Sequence, residues 1–150
     1  RDYYASRGLG DVYKRQLPAK SFKDVDPHVT TKQMRFLKRV RYLKGEPDII
    51  DIDYLDPKVV PPIPESAAKD SLYAYLEGQV GLTIAYATKE ITVETATEED
   101  RRYLKLPQAA VVVVVRSCSS LVDTTKFQYT ESRHRADRFK FHDFARRMRP

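Results

Sequence analysis

The chain has 150 residues, of which 41% are hydrophobic and 32% are charged, and its formal net charge is +6. That length suits one domain with a core of its own, and the composition is typical of a globular protein. The longest apolar run, residues 109–115, is far too short to span a membrane, so we expect no membrane partner.

The positive charge is concentrated at the two ends of the chain. Residues 1–16 contain four Lys or Arg and two Asp or Glu, and residues 133–150 contain seven and two. Residues 17–132 contain 16 Lys or Arg and 17 Asp or Glu, so the body of the protein is close to neutral. A broad nucleic-acid-binding face needs basic side chains across the body of a domain, and this distribution argues against one.

Residues 1–16 show no hydrophobic periodicity from which a helix or a strand could be predicted. Their last six letters, DVYKRQ, resemble artefactual ends of sequences assembled from environmental reads. We therefore interpret residues 1–16 as a non-native or disordered leader and leave them out of the fold prediction. The alternative is a native lead-in that is disordered or helical. Residues 17–150 then form the single folded domain.

Residues 34–55, MRFLKRVRYLKGEPDIIDIDYL, predict a β-hairpin. The turn at 44–46 has a central glycine, and a three-residue loop would pair Leu43 with Pro47. A slip of this register by one residue would mix the apolar and polar sets. The predicted pairs are Phe36 with Tyr54, Val40 with Ile50 and Arg39 with Asp51, and the polar face carries Arg39, Arg41, Asp51 and Asp53.

The next elements are a helix and a strand. A proline-rich connector at 56–66 leads into a helix that starts at Pro64 or Glu65 and ends near Glu77. The apolar stripe of this helix consists of Leu72, Tyr73 and Leu76. Residues 82–94, LTIAYATKEITVE, predict a long strand.

A second helix and a second hairpin complete the chain. Thr97 is a good N-cap, acidic residues fill the first turn after it, and the helix ends before Pro107. Residues 109–119 are a β-branched run that suits a strand buried on both faces. A turn at 122–124 leads to the last strand at 125–135. This order predicts an α+β fold with helices packed on a mainly antiparallel sheet.

The polar face of the first hairpin is the first candidate site. Arg39 and Arg41 lie two residues apart and project in the same direction, and two guanidinium groups suit a phosphate. Asp51 opposite them could accept hydrogen bonds from sugar hydroxyls or orient Arg39. The alternative is a solvated sheet face with cross-strand ion pairs.

The last strand is the second candidate. Its alternation puts Gln128, Thr130, Ser132 and His134 on one face and Phe127, Tyr129, Glu131, Arg133 and Arg135 on the other. Gln128 and His134 suit the orientation of ligand hydroxyls. The alternative for His134 is a structural hydrogen bond.

The sequence lacks catalytic and metal-binding patterns. Cys118, the only cysteine, ends a valine-rich strand and has no evident base beside it. There is no Gly-rich phosphate loop and no metal-binding spacing, and the three histidines are widely separated. We therefore predict no enzymatic activity, no cofactor and no metal. A single cysteine also fits a reducing compartment, so we expect a cytoplasmic protein.

Three segments carry a resemblance to a known family: KRVRYLKGEP at 38–47, DSLYAYLE at 70–77 and FQYTESRHRADRFKFHDFARR at 127–147. With them the chain resembles the UTRA effector-binding domain of bacterial transcription regulators of the GntR family, HutC subfamily. The resemblance covers about residues 20–147. Within the family it is greatest to the branch that represses trehalose operons.

The resemblance implies a chorismate-lyase-like α+β fold that binds a small effector without catalysis. The effector would be a sugar phosphate, and trehalose 6-phosphate is expected from the trehalose branch. The implied contacts are Arg39 and Arg41 to the phosphate, Asp51 to sugar hydroxyls, and Ser71, Tyr73, Gln128 and His134 in the same pocket. The resemblance also implies a homodimer that contacts DNA only through a winged-helix domain absent from this chain.

The implied contacts on the last strand match Gln128 and His134, where relatives can have Glu and Tyr. Two features depart from the family pattern, and the first is the absence of the winged-helix domain, without which we expect this chain not to repress transcription. The region between Phe22 and Met34 is shorter than in relatives. The residues missing from this region would form part of the pocket wall in relatives, so we expect weaker effector binding by this chain.

Two other functions remain as alternatives. An enzyme related to chorismate lyase is permitted by the fold, although no activated nucleophile or base is evident. A nucleic-acid-binding module could use the basic residues 133–150, with binding that falls steeply with salt. Phe139, Phe141 and Phe144 lie among those charges and favour packing of this segment onto the sheet.

Overall fold

The computed structural model describes residues 2–7, 14–16, 33–64 and 72–146, with side chains from residue 33 onward. The strands in these ranges are β1 (Asp2–Arg7), β2 (Lys14–Gln16), β3 (Gln33–Leu43), β4 (Glu46–Leu55), β5 (Ile84–Thr95), β6 (Val111–Leu121) and β7 (Lys126–Arg135). The described helices are α1 (Leu72–Gly78) and α2 (Glu98–Leu104). Neither of them is long and apolar enough to cross a membrane.

The seven strands form one antiparallel sheet in the order β1-β3-β4-β7-β6-β5, with β2 also paired to β3. β4 and β7 are distant in sequence but adjacent at the centre of the sheet. α1 packs against one face of the sheet, and α2 packs against the other. This arrangement confirms the predicted α+β fold.

Within the segment predicted to be a leader, residues 2–7 and 14–16 lie in strands and are not disordered. Residues 2–7 form β1, in which Ser6 pairs with Arg39, and residues 14–16 form β2. Both strands pair with β3, whose outer backbone groups would otherwise face solvent. Hydrophobic periodicity does not reveal such an edge strand, because its main chain makes the contacts. A non-native origin of this segment stays a prediction.

The β3–β4 hairpin has the register that the sequence predicts over most of its length. Arg39 lies opposite Asp51. Phe36 lies opposite Tyr54, with their ring centroids 5.4 Å apart in an edge-on arrangement. Alternation fixes this register because a slip by one residue would carry charged groups into the core.

The predicted three-residue loop of this hairpin is wrong. Lys44 and Gly45 form a two-residue turn with φ of 52° and 80°, and Leu43 pairs with Glu46. Positive φ at both positions gives a turn whose twist matches that of antiparallel strands. The extra residue, Asp48, bulges from the ladder just after the turn and restores the predicted register beyond it.

α1 covers one face of the sheet through Leu72 and Leu76, both of which are buried. The core beneath these leucines contains Leu37, Leu55, Val60, Ile63 and Phe127. Tyr73, the third residue of the predicted stripe, is 42% exposed. The helix ends at Gly78, one residue past the predicted end. Of the two predicted starts, Pro64 lies in no helix or strand, and Glu65 lies outside the described residues.

α2 begins at the predicted N-cap. The Thr97 hydroxyl accepts a hydrogen bond from Asp100 N at 3.1 Å, and Asp100 Oδ2 accepts one from Thr97 N at 2.8 Å. This capping box stabilises the helix by about 1 kcal/mol at the Thr97 position. The helix ends at the buried Leu104, followed by Lys105 in the left-handed region. The core under α2 contains Val40, Ile50, Ala96, Val112 and Val114.

A network of ion pairs joins α2 to the sheet. The Arg133 guanidinium donates to the two Asp100 oxygens at 2.7 and 2.8 Å and to Glu131 at 2.8 Å. Arg116 donates to Glu131 at 3.1 Å and to Glu94 at 2.6 Å. Arg133, Asp100 and Glu131 are buried. The network therefore ties β5, β6 and β7 to α2 where water screens charges only weakly.

β6 is less buried than its valine run predicts. Val112, Val113 and Val114 are buried, but Val111 is 44% exposed and Val115 is half-buried. The strand lies next to the edge strand β5 rather than at the centre of the sheet. The prediction that this strand is buried throughout on both faces is therefore wrong.

The predicted packing of the C-terminal phenylalanines onto the sheet is wrong for two of the three. The ring centroids of Phe139 and His134 lie 5.1 Å apart in an edge-on arrangement. Phe141 and Phe144 are 68% and 83% exposed. Residues 136–146 form no helix or strand in the structure as described, so no regular element carries these two rings onto the core.

Candidate ligand-binding site

A cavity of about 350 Å³ lies on the sheet face that α1 covers, and its volume is in the range of small-molecule sites. Alternate residues of five strands point to this face, and α1 adds two more. The lining side chains are Arg39, Arg41, Asp51, Asp53, Leu72, Tyr73, Lys89, Val115, Ser117, Gln128, Thr130 and Ser132.

Cross-strand pairing brings residues that are distant in sequence together in this cavity. Arg39 of β3 pairs with Asp51 of β4, which pairs with Ser132 of β7. In the neighbouring row, Asp53 of β4 pairs with Thr130 of β7. The Ser132 hydroxyl donates to Asp51 Oδ1 at 2.7 Å. The polar faces of β4 and β7 that the sequence predicts separately are thus one surface.

Two carboxylates hold Arg39 and Arg41 in place. Arg41 Nε lies 2.6 Å from Asp51 Oδ2. Arg39 Nη2 donates to Asp53 Oδ2 at 3.2 Å and lies 3.6 Å from Asp51 Oδ2. The Asp51 and Asp53 side chains are only 5% and 2% exposed, so water screens these ion pairs weakly. Two oriented guanidinium groups result, an arrangement that suits a phosphate.

Asp53 connects the arginine end of the cavity to β7. It accepts hydrogen bonds from Gln128 Nε2 at 3.0 Å and from Thr130 Oγ1 at 2.9 Å. Burial raises the pKa of Asp53, and the positive charge of Arg39 opposes that rise. These bonds fix the orientation of both β7 side chains before any ligand binds.

Gln128 has an acceptor that no described residue uses. The residue is 2% exposed, and its Nε2 is bonded to Asp53. Its Oε1 has no hydrogen-bond partner within the part of the chain that the structure describes. Buried polar atoms are nearly always hydrogen-bonded, so a donor from a bound ligand, such as a hydroxyl, would complete this group.

α1 contributes Tyr73 to the rim of the cavity. The Tyr73 hydroxyl lies 2.9 Å from Ser119 Oγ, which fixes the ring against β6. Ser71, the other residue predicted at this helix, lies outside the described residues.

His134 lies on the predicted face of β7 but does not line the cavity. It pairs with Ile49 of β4 and with Val113 of β6, one row beyond the polar residues. Its ring packs edge-on against Phe139. A role for His134 in ligand binding stays a prediction.

The sequence alone does not identify several lining residues. Asp53, Thr130 and Ser132 are predicted on the polar faces without a role in ligand binding, whereas Lys89 and Ser117 are not singled out at all. Lys89 and Ser117 could be recognised as lining residues only from the pairing of β5 with β6, in which Lys89 lies opposite Ser117. That register becomes visible only when the ends of both strands are known.

Cys118 lies away from the cavity. It packs against the cluster of Met34, Phe36, Tyr54 and Tyr129. Burial raises the pKa of its thiol, which disfavours the reactive thiolate. Among the described residues, no group of three His, Cys, Asp or Glu side chains could hold a metal ion.

Comparison of sequences relates the chain to bacterial regulators. It is 50% identical to the HTH-type transcriptional regulator TreR of Bacillus subtilis over 109 residues. The matched segment covers 73% of this chain and 46% of the relative. It is also 26% identical over 120 residues to the HTH-type transcriptional regulator GmuR of the same organism. That match covers 78% of this chain and 51% of the relative. The chain thus spans about half the length of these curated relatives.

Solved structures show the same relationship. The effector binding domain of the B. subtilis trehalose repressor (TreR) matches with a TM-score of 0.75 and 40% identity, over 91% of this chain and 94% of that one. The possible transcriptional regulator YydK of B. subtilis matches with a TM-score of 0.77, over 89% of this chain and 58% of that one. At 19% identity, that second match shows the fold alone.

The family assignment rests on most of the chain. Residues 29–140 match the UTRA domain. The predicted resemblance to this family, and with it the UTRA fold, is confirmed. The chain belongs to the UTRA domain family, as an effector-binding domain of the type found in TreR and related transcriptional regulators.

Proposed function

We propose that this domain binds a sugar phosphate and thereby controls DNA binding by a winged-helix domain that lies outside this chain. Trehalose 6-phosphate is the effector we propose first, because the chain is 50% identical to TreR over 109 residues and 40% identical to the effector binding domain of the trehalose repressor. The observation that carries the proposal is the pair of oriented guanidinium groups, Arg39 and Arg41, in a polar cavity of about 350 Å³.

The arginine pair favours a phosphate. Each guanidinium presents several N–H donors in a fixed plane, and two of them can surround a phosphate with charge-assisted hydrogen bonds. Arg41 contacts Asp51 through Nε and Nη2, which leaves its Nη1 donors available to a ligand. Orientation before binding reduces the entropy lost when the ligand is held.

The rest of the wall favours a hydroxyl-rich ligand. Asp51 and Asp53 retain acceptor capacity, and Gln128 Oε1 has no partner among the described residues. The Thr130 and Ser132 hydroxyls donate to these carboxylates, so their own oxygens can accept from a ligand. A sugar presents many hydroxyls that both donate and accept, which matches this wall.

We propose binding rather than catalysis. The cavity carboxylates are held by arginine, glutamine and hydroxyl partners, and the buried Cys118 thiol lies in a different cluster. These features favour a role in holding a ligand over a chorismate-lyase-like reaction. An assay of pyruvate release from chorismate tests the enzymatic alternative.

The contacts of three of the basic residues near the C-terminus, Arg133, Arg135 and Arg138, weigh against direct nucleic-acid binding by this segment. Arg133 is buried and bonded to Asp100. Arg135 is paired with Asp137, and Arg138 is bonded to Glu46. These guanidinium groups are therefore committed to contacts within the chain, although the acids on Arg135 and Arg138 are exposed.

We further propose that the domain forms a homodimer in the cytoplasm, where a regulator meets both sugar phosphates and DNA. A two-fold dimer would set the spacing of two DNA-binding domains, and ligand would shift that spacing. Coupling of this kind has a typical free energy of about 1–3 kcal/mol. Sedimentation analysis of the chain, with and without ligand, measures its association state.

Calorimetric titration of the chain with trehalose 6-phosphate tests the proposed function. We expect saturable binding that is tighter than for trehalose or glucose 6-phosphate, because only the full ligand offers the phosphate and both rings. Equal affinity for trehalose would exclude a phosphate site. A folded chain that binds none of the three would contradict the assignment of this effector.

A further inference from the structure

A row of polar side chains crosses the cavity at right angles to the strands. Lys89 of β5 pairs with Ser117 of β6, which pairs with Thr130 of β7, which pairs with Asp53 of β4. All four residues line the cavity. Three strand spacings, or about 14 Å, separate the backbones of β4 and β5.

The two ends of the cavity differ in how their charges are balanced. At the β3 end, Arg39 and Arg41 are paired with Asp51 and Asp53. At the β5 end, the exposed side chain of Lys89 makes no hydrogen bond or ion pair with any residue that the structure describes. The cavity therefore has three cations and two carboxylates in its lining, and Lys89 is the cation without an acidic partner there.

The β5 end can donate hydrogen bonds to a ligand. A lysine ammonium has three donors and no acceptor, and a serine hydroxyl can donate one. Ser117 is half-buried beside Lys89, and its hydroxyl likewise makes no hydrogen bond in the described ranges. These two side chains match the oxygen atoms of a hydroxylated ring.

The distance across the sheet decides which part of a ligand reaches Lys89. The guanidinium groups of β3 contact the carboxylates of β4, so a phosphate bound to them lies near β4. Ser117 on β6 is two strand spacings away from β4, or about 10 Å. One phosphorylated pyranose ring held at the arginines would lie over β7, and a second ring would extend toward β6 and β5.

We infer that Lys89 binds the sugar ring distal to the phosphate, so that the cavity selects a phosphorylated disaccharide over a phosphorylated monosaccharide. This inference rests on the proposed sugar-phosphate function. Arg39 and Arg41 then provide affinity for any sugar phosphate, and the row from Asp53 to Lys89 provides selectivity for the second ring.

Calorimetry on Lys89→Ala, with trehalose 6-phosphate and glucose 6-phosphate as the ligands, tests the inference. We expect the affinity for trehalose 6-phosphate to fall about tenfold or more, because a charged donor to the ligand is lost. The affinity for glucose 6-phosphate should not change. Lys89→Arg should recover part of the loss, since it restores a charged donor.

Lys140→Ala is the matched control. Lys140 is exposed, does not line the cavity, and its replacement changes the net charge by the same amount. We expect this variant to bind both ligands like the parent chain. A general electrostatic effect would instead lower both affinities equally in the two alanine variants.

Each other outcome overturns the inference in a distinct way. An equal loss for both ligands in Lys89→Ala would place Lys89 at the phosphate. Unchanged binding of trehalose 6-phosphate would show that Lys89 does not contact the ligand. Failure of the parent chain to bind either sugar phosphate would overturn the proposed function itself, and the inference with it.

Discussion

At the scale of single residues, Asp53 is the side chain on which the cavity depends most. It is 1% exposed and holds Arg39, Gln128 and Thr130 at 3.2, 3.0 and 2.9 Å. The residue therefore supports the strands as well as the ligand site. Its replacement should be measurable as a loss of stability even in the absence of ligand.

We predict that Asp53→Asn lowers the free energy of unfolding by about 3 kcal/mol, because it removes one partner of a buried ion pair. Arg39 would lose its 3.2 Å bond to Asp53, while its longer contact with Asp51, at 3.6 Å, would stay. Urea denaturation followed by circular dichroism measures the change. Asp143→Asn, at an exposed position, is the control that should leave the midpoint unchanged. Equal midpoints for the two variants would contradict this role of Asp53.

Arg41 provides a more selective test of the phosphate site, because its side chain is 32% exposed and its loss costs less stability. We predict that Arg41→Ala weakens binding of trehalose 6-phosphate by about tenfold to a hundredfold, as expected for loss of a charged hydrogen bond. Binding of unphosphorylated trehalose should change little. Calorimetry gives both affinities.

Arg102→Ala serves as the control for Arg41→Ala. Arg102 lies on α2 over the ring of Tyr103, away from the cavity. This variant removes the same charge, and it should bind trehalose 6-phosphate like the parent. If Arg41→Ala also binds like the parent, the phosphate lies elsewhere.

At the scale of elements, α2 is attached to β7 by one buried guanidinium. Arg133 bonds both oxygens of Asp100 and one oxygen of Glu131. We predict that Arg133→Met lowers the free energy of unfolding by about 3–5 kcal/mol, because the buried Asp100 loses its cation and Glu131 loses one of its two arginine partners. Urea denaturation measures the loss. Arg102→Met on the exposed side of the same helix should cost much less, and comparable losses would contradict a special role of Arg133.

The outer part of this network should respond to acid. The hydrogen bond from Arg116 lowers the pKa of Glu94 from 4.5 to about 2. Because the pKa is lower in the folded state, the stability that Glu94 contributes is present above about pH 4.5 and is lost as pH falls toward 2. We predict that Glu94→Gln reduces the loss of stability over this interval. Urea midpoints measured from pH 5 to pH 2 test the slope.

Glu77→Gln is the control for this pH series, since Glu77 lies exposed on α1 outside the network. Its slope should equal that of the parent chain. A Glu94→Gln slope that also equals the parent slope would show that Glu94 does not contribute to the acid response.

At the scale of the whole molecule, the cavity joins strands from both halves of the chain. Its lining comes from β3 to β7 and from α1, so a bound ligand contacts elements that meet only in the folded state. We predict that trehalose 6-phosphate at a hundred times its Kd raises the free energy of unfolding by about 2.7 kcal/mol. Thermal unfolding with increasing ligand measures this rise. No shift at saturation would contradict binding to the folded state.

The sequence predicts those features of the molecule that depend on residues close to one another along the chain. Alternation is enough to pair Arg39 with Asp51 and to put Gln128 on the same face of β7 as Ser132. The Asp48 bulge is not predicted, because a two-residue turn with a bulge and a three-residue loop give the same register farther along. Lys89 is missed because its position in the cavity depends on the pairing of β5 with β6 and β6 with β7.

From Gln128 onward, β7 supplies the cavity with its even-numbered residues and the α2 side with odd-numbered ones, as in Ser132 and Arg133. Phe127, before the irregularity in the pairing with β6, packs under α1 instead of on the face that alternation predicts. This has a practical consequence for redesigning the ligand preference. Deletion of one codon near Tyr129 would exchange the two sets, directing guanidinium groups into the cavity and hydroxyls under α2. Mutant libraries aimed at a new ligand should therefore vary residue type at positions 128, 130 and 132 and keep the strand length constant.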